Sequence, residues 1–156
     1  MHDKITTAAR TILAATALAV ALLAGSASGS LERAAKPWVG EWKGTGSGDN
    51  GEPFTVRFDI TSKKKVTDAE VESYWVDCPD RPGLQFNGEF TKSDKFDDQR
   101  RIFFKEDFET GLGGTYTLEL IGRLSDNYKT VKGFVDVDSD AIDCSGTNLF
   151  KGKNKG

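Results

Sequence analysis

From Phe54 to Ile60 apolar residues occupy every second position, as Phe54, Val56, Phe58 and Ile60, with Thr55, Arg57 and Asp59 between them. A strand turns alternate side chains to opposite faces, so the run predicts a strand with one buried and one wet face. Thr61 to Lys65 reads as a solvated basic turn. The strand beyond it places Thr67, Ala69, Val71, Ser73 and Trp75 on one face, with Asp68, Glu70 and Glu72 on the other. Tyr74, Val76 and Cys78 then fall on the acidic face, which leaves Tyr74, Trp75 and Val76 apolar on both sides. Such a break predicts either a bulge that reverses the alternation or another segment covering the outer face.

The same period runs through the rest of the chain. Trp38 to Gly46 predicts a first strand with Trp38, Gly40, Trp42 and Gly44 on one face, and the turn-rich Ser47 to Pro53 closes it. Leu84 to Phe90 follows as a short strand after the turn Pro79 to Gly83, and Thr91 to Arg100 is polar enough to predict a solvated, mobile loop. Ile102, Phe104 and Phe108 alternate, with Phe103 on the opposite face. Gly111 to Gly114 separates them from Tyr116, Leu118, Leu120 and Leu124; it lacks the Gly-Lys-Ser/Thr ending and the helix of a phosphate loop. Val131, Val135 and Val137 share a face, Asp136 to Cys144 reads as an acidic turn, and a last short strand surrounds Leu149 and Phe150. The pattern predicts an all-β fold, a single antiparallel β-sandwich or flattened barrel of about eight strands, over residues 38–151. A polar lead-in (28–37) and a fraying polar tail (152–156) flank it.

The N-terminus changes the setting. Lys4 and Arg10 precede an uncharged apolar run from Ile12 to Leu23, and small residues follow up to Gly29. That order predicts a secretory signal peptide over 1–27, cut after Ala27, and the absence of twin arginines favours the general secretory route. Leu23-Ala24-Gly25 begins like a lipoprotein box, but Ser26 stands where the lipidated cysteine would be, so no membrane anchor is expected. Both cysteines, Cys78 and Cys144, lie in the exported part, where an oxidising compartment implies one disulfide between them. Removing Lys4, Arg10 and Asp3 from 21 basic and 24 acidic residues leaves a net charge of about −4 with both signs interspersed. That balance argues against nucleic acid as a partner.

Composition also narrows the chemistry. The single histidine is His2, inside the segment predicted to be removed. This excludes histidine-based triads, histidine general bases and histidine-ligated zinc from the mature chain. Glu41, Glu70, Glu72 and Glu89 are carboxylates of the type a glycosidase pair needs, but each sits among polar residues on an expected solvent face. Asp136, Asp138, Asp140 and Asp143 resemble the opening of a calcium loop, yet Ala141 and Thr147 stand where an EF-hand needs glycine and glutamate. Trp38, Trp42, Tyr74 and Trp75 are the candidate binding residues, as an aromatic platform for a flat ligand; the commoner fate of such rings is to plug a core.

Gly40-Glu41-Trp42-Lys43-Gly44-Thr45, Phe54-Thr55-Val56 with Lys65-Val66-Thr67, Asn87-Gly88-Glu89-Phe90 and the two cysteines together resemble a family of small secreted bacterial β-domains of uncharacterised function. The resemblance implies a solitary exported domain with one disulfide and supplies no catalytic residue. Gly40-Glu41-Trp42 is also similar to the Gly-x-Trp near the first strand of lipocalin-like barrels, whose other motifs are missing. The expected function is therefore a non-catalytic extracellular binding or interaction protein, monomeric and without cofactor, whose partner is extracellular or a small ligand. The alternative is a lipocalin-like carrier of a small apolar ligand; a carboxylate-dependent hydrolase ranks below both. An open apolar cavity would favour the carrier, and an interior packed with Phe58, Val71, Trp75, Leu118 and Val135 would count against it.

Overall fold

The structure is a computed structural model and describes residues 36–156 apart from 111–112 and 140. The chain divides into Met1–Arg33 and Ala34–Gly156. The expected signal peptide, most of the lead-in and Asp140 lie outside the described residues.

Nine antiparallel strands follow one another: β1 Gly40–Ser47, β2 Pro53–Ile60, β3 Lys65–Cys78, β4 Arg81–Glu89, β5 Asp94–Lys95, β6 Arg101–Glu109, β7 Thr115–Leu124, β8 Thr130–Ser139 and β9 Cys144–Asn154. Their order in the sheet is β4-β3-β2-β1-β9-β8-β7-β6, with the two-residue β5 added to β3. Each half of the chain is thus a meander, and the first and last long strands, β1 and β9, zip the halves together from Trp42↔Asn154 to Gly46↔Phe150. The sheet curls into a flattened half-barrel whose free edges are β4 and β6.

Side chains rather than ladder bonds close that seam. Phe90 packs on Phe104 and Phe108 with ring centres 5.4 and 5.8 Å apart. The Tyr116 hydroxyl donates to the Asn87 carbonyl at 2.5 Å, and Thr91 donates from its backbone N–H and its hydroxyl to the Glu106 carboxylate at 2.8 and 2.6 Å. At Gly88 an added Cβ would lie 2.6 Å from Leu118 Cδ1, so only glycine lets β4 approach so closely.

The inward rows are those the alternation predicts on β2, β6, β7 and β8, and they form one buried cluster. On β3 the prediction for Trp75 needs correction. Two extra residues interrupt the strand, one opposite Arg57–Asp59 of β2 and one between Val71 and Tyr74. Asp68 and Ser73 sit there with φ of 51° and 57°, the left-handed conformation that lets a bulge re-aim the chain. Each bulge flips the parity, so Ala69, Val71, Tyr74, Val76 and Cys78 all point inward and Trp75 lies on the outer side, half-buried. Of the two explanations for the apolar break, the bulge is the one realised.

Three other expectations shift. Thr91 to Arg100 is anchored: β5 pairs with β3, and Phe96 is buried against Trp38 and Tyr128. Asp136 to Ser139 is strand rather than turn, because β8 stays paired with β9 as far as Ser139↔Cys144. Gly152 to Asn154 belong to β9 and do not fray, held between β1 and β8. Cys78 and Cys144 form the disulfide, joining the ends of β3 and β9 with their Cα atoms 5.0 Å apart.

Candidate functional site

The aromatic candidates disperse. Trp42 is wholly buried, stacked on Phe58 at 6.0 Å, and its indole N–H donates to the Trp38 carbonyl at 3.0 Å. Trp38 covers one end of the barrel in a cluster with Phe96 and Tyr128, and the Lys36 ammonium lies 5.5 Å from its ring. Tyr74 crosses the interior. Its hydroxyl lies 2.9 Å from both the Val135 and Gly146 carbonyls, sharing its one proton between them, and accepts from the Asn148 amide at 3.4 Å. Burial pushes its phenol up to about 12. Trp42 and Tyr74 are thus parts of the core, and the four rings form no common platform.

The carboxylates come closer together than the alternation suggests. Glu70, Glu72 and Glu89 line a shallow concavity of about 350 Å³ beside Gly88 and Phe108. All three stand on its β3–β4 side, with Glu70 directly opposite Glu89, and the Arg57 guanidinium holds Glu70 at 2.8 Å and Glu72 at 3.0 Å. A row of three carboxylates on one wall, two of them held by one guanidinium, lacks the acid facing a base across a substrate that glycoside cleavage requires. Glu41 is exposed on β1, opposite Asp59, whose carboxyl is raised by burial and then by repulsion from Asp68 and Glu41. Asp136 and Asp138 alternate along the outer side of β8, where Asp136 accepts a hydrogen bond from Thr147. A strand holds these side chains in a line instead of wrapping them around an ion, and among the described residues no three acidic, histidine or cysteine side chains are grouped for a metal.

The arrangement that singles itself out is one the residue-by-residue candidates do not contain. On the outer face of β6–β9 the register aligns Phe103↔Ile121, Ile121↔Phe134 and Phe134↔Leu149 into one continuous apolar row across four strands. Phe103 is 47% exposed and Leu149 75%. One step along the strands on one side lies Arg101↔Arg123, Arg123↔Lys132 and Lys132↔Lys151, four cations directly opposite one another. On the other side lie Lys105, Glu119, Asp136 and Thr147, then Asp107, Thr117, Asp138 and Ser145. The face therefore reads basic, apolar, acidic along the strand direction.

Its electrostatics differ at the two ends. In the acidic rows the Lys105 ammonium meets Glu119 at 2.6 Å, which raises the lysine, and the Thr117 hydroxyl donates to Asp107 at 2.6 Å. In the basic row Arg101 is paired with Asp97 at 2.7 Å, while among the described residues Arg123, Lys132 and Lys151 have no ion-pair partner. Like charges directly opposite across strands destabilise a sheet by tenths of a kcal/mol to about 1 kcal/mol per pair. Two concavities meet at Lys132: one of about 590 Å³ with Phe134, Leu149 and Lys151, another of about 440 Å³ with Arg100, Arg123 and Asp126.

The signal for this face is present in the chain but local reading dilutes it. Each strand offers only one apolar residue on its polar side, such as Ile121 between Glu119 and Arg123 or Phe134 between Lys132 and Asp136. Their alignment depends on the register of three hairpin ladders. Among known proteins, no family model matches the chain and no curated protein is significantly similar to it.

Proposed function

We propose that the mature chain is a non-catalytic extracellular interaction protein that works by docking the outer face of β6–β9 against another surface. The observation that carries this is the uncovered apolar row Phe103, Ile121, Phe134 and Leu149, edged by cations whose alignment costs stability. Cross-strand apolar pairs do stabilise a sheet by about 0.2–1 kcal/mol each. That gain explains Ile121 and Phe134 at the middle of the row better than Leu149, which is mostly in water.

The disulfide supports an oxidising, extracellular setting, and among the described residues no helix is long and apolar enough to cross a membrane. The lipocalin-like carrier is the second reading. It needs an open apolar interior, whereas Trp42, Phe54, Phe58, Val71, Tyr74, Leu118 and Val135 fill the space between the two halves. The filled interior favours a surface binder.

The test is a capture experiment with the immobilised mature domain on culture supernatant and cell-wall fractions. Material retained by the wild type should be lost with Phe134→Ser/Leu149→Ser and kept with Glu89→Gln, which lies on the opposite outer face. Equal retention by both variants would overturn the assignment to this face.

A further inference from the structure

We infer that the surface docked on β6–β9 is a second copy of this chain, packed face to face about a two-fold axis that runs along the apolar row. The inference rests on the interaction-surface reading above and names its partner. A two-fold interface places the same patch on both subunits, so the patch must complement itself. Rotation about the row leaves Ile121 facing Ile121 and Phe134 facing Phe134, and it reverses the strand direction. Along β7 the outward residues run Arg123, Ile121, Glu119; along β8 they run Lys132, Phe134, Asp136. Reversal lays Arg123 over Glu119 of the second copy and Lys132 over Asp136, and each contact occurs twice.

This occupant answers the basic, apolar and acidic rows together along β7 and β8; on β6 the same rotation lays Arg101 over Lys105, each already held by its own carboxylate, Asp97 and Glu119. An anionic polymer would satisfy Arg123, Lys132 and Lys151 but would meet Glu119, Asp136, Asp138 and Asp107 with like charge, and it would leave the apolar row wet. An apolar partner would bury the row while stranding the cations. The other two-fold axis in the plane, along the strands, would set cations on cations. The whole face, four strands at about 4.8 Å spacing and four rows at about 6.7 Å, spans roughly 500 Å² in projection per copy. That is below the about 800 Å² per partner of a standard interface and belongs to the weak, transient class. Contact along β7 and β8, the middle of the face, does not require the curled sheet to flatten.

Charge reversal with sedimentation velocity tests it. The wild type should sediment as a dimer at concentrations in the tens of micromolar. Arg123→Glu/Lys132→Glu makes the face acidic at both ends, and Glu119→Lys/Asp136→Lys makes it basic at both ends. Either variant alone should weaken self-association by about 100-fold, as juxtaposed like charges cost several kcal/mol. Mixed in equal amounts, the two should recover a heterodimer within about tenfold of the wild-type affinity, a rescue that a misfolded variant could not give. A wild type still monomeric at about 0.5 mM, a free energy of only about −4 kcal/mol at best, would overturn the inference, as would a dimer indifferent to both reversals. If the wild type is monomeric yet Phe134→Ser/Leu149→Ser still loses its captured material, the second copy is wrong and the docking face stands. If neither self-association nor capture responds to the face, both fall. Capture of a polyanion lost only with Arg123→Glu/Lys132→Glu would likewise replace the second copy with that ligand.

Discussion

Tyr74 shows how one buried side chain ties the two meanders together. Its ring is wholly buried, and its hydroxyl reaches from β3 to β8 and β9, with Asn148 behind it. A Cβ at Gly146 would lie 2.6 Å from Val76 Cγ1, so β9 approaches β3 closely beside the carbonyl that this hydroxyl meets. Burial raises its phenol from 10.0 to about 12. A group that holds its proton more tightly when folded contributes stability in full below its unfolded pKa and loses it as pH rises. That loss falls between about pH 10 and pH 12. Tyr74→Phe should cost about 1–2 kcal/mol in urea unfolding at neutral pH, because two carbonyls lose a buried donor. The wild-type advantage over the variant should then shrink through that alkaline window; a variant as stable as the wild type at pH 7 would show the bond to be incidental.

At the level of elements, β3 is where the alternation alone misleads. Strict parity sends Trp75 inward and Tyr74 outward, and the reverse holds because Ser73 is an extra residue with φ 57° whose N–H donates to Asn87 Oδ1 at 2.7 Å. The apolar triplet announces a disturbance, but only packing decides its form: inward Tyr74, Val76 and Cys78 gain partners on β8 and β9. A left-handed conformation costs an L-residue about 1–2 kcal/mol and glycine almost nothing. Ser73→Gly should therefore be neutral or stabilise by up to about 1 kcal/mol, while Ser73→Val, which prefers extended backbone, should destabilise by about 1–2 kcal/mol. Thermal unfolding of the pair checks this; a valine variant melting at or above the glycine one would refute the bulge assignment. The strands with unbroken alternation, β2, β6, β7 and β8, needed no such arbitration and were legible from Phe54, Ile102, Leu118 and Val135 onward.

For the whole molecule, the disulfide and the β1–β9 zipper perform the same task at opposite ends of β9, at Cys144 and over Phe150 to Asn154. Cys78 and Cys144 are 66 residues apart in sequence, and the bond joins the two meanders where their ladders do not. Closing so long a loop restricts the unfolded chain, and the chain-entropy account gives about 4 kcal/mol. Cys78→Ser/Cys144→Ser should lower unfolding free energy by about 2–5 kcal/mol, read from denaturant midpoints, with the Tyr116–Asn87 and Thr91–Glu106 seam as the first region to lose amide protection. Protection lost first at β1–β9 instead would show that the zipper depends on the disulfide.

Local chemistry in the chain was enough to specify the eight long strands, the all-β class, the cysteine pair and the single histidine, His2, because period, residue type and count are properties of short segments. The facing of Tyr74 and Trp75, the burial of Phe96, the incorporation of Gly152 to Asn154 into β9 and the row Phe103, Ile121, Phe134 and Leu149 arise from contacts between segments distant in sequence. A one-residue slip between two strands would turn a row of apolar side chains to the other face. The docking surface therefore exists only once the ladders of β6 to β9 have chosen their register, and the burial that chooses it lies on the opposite side of the same strands.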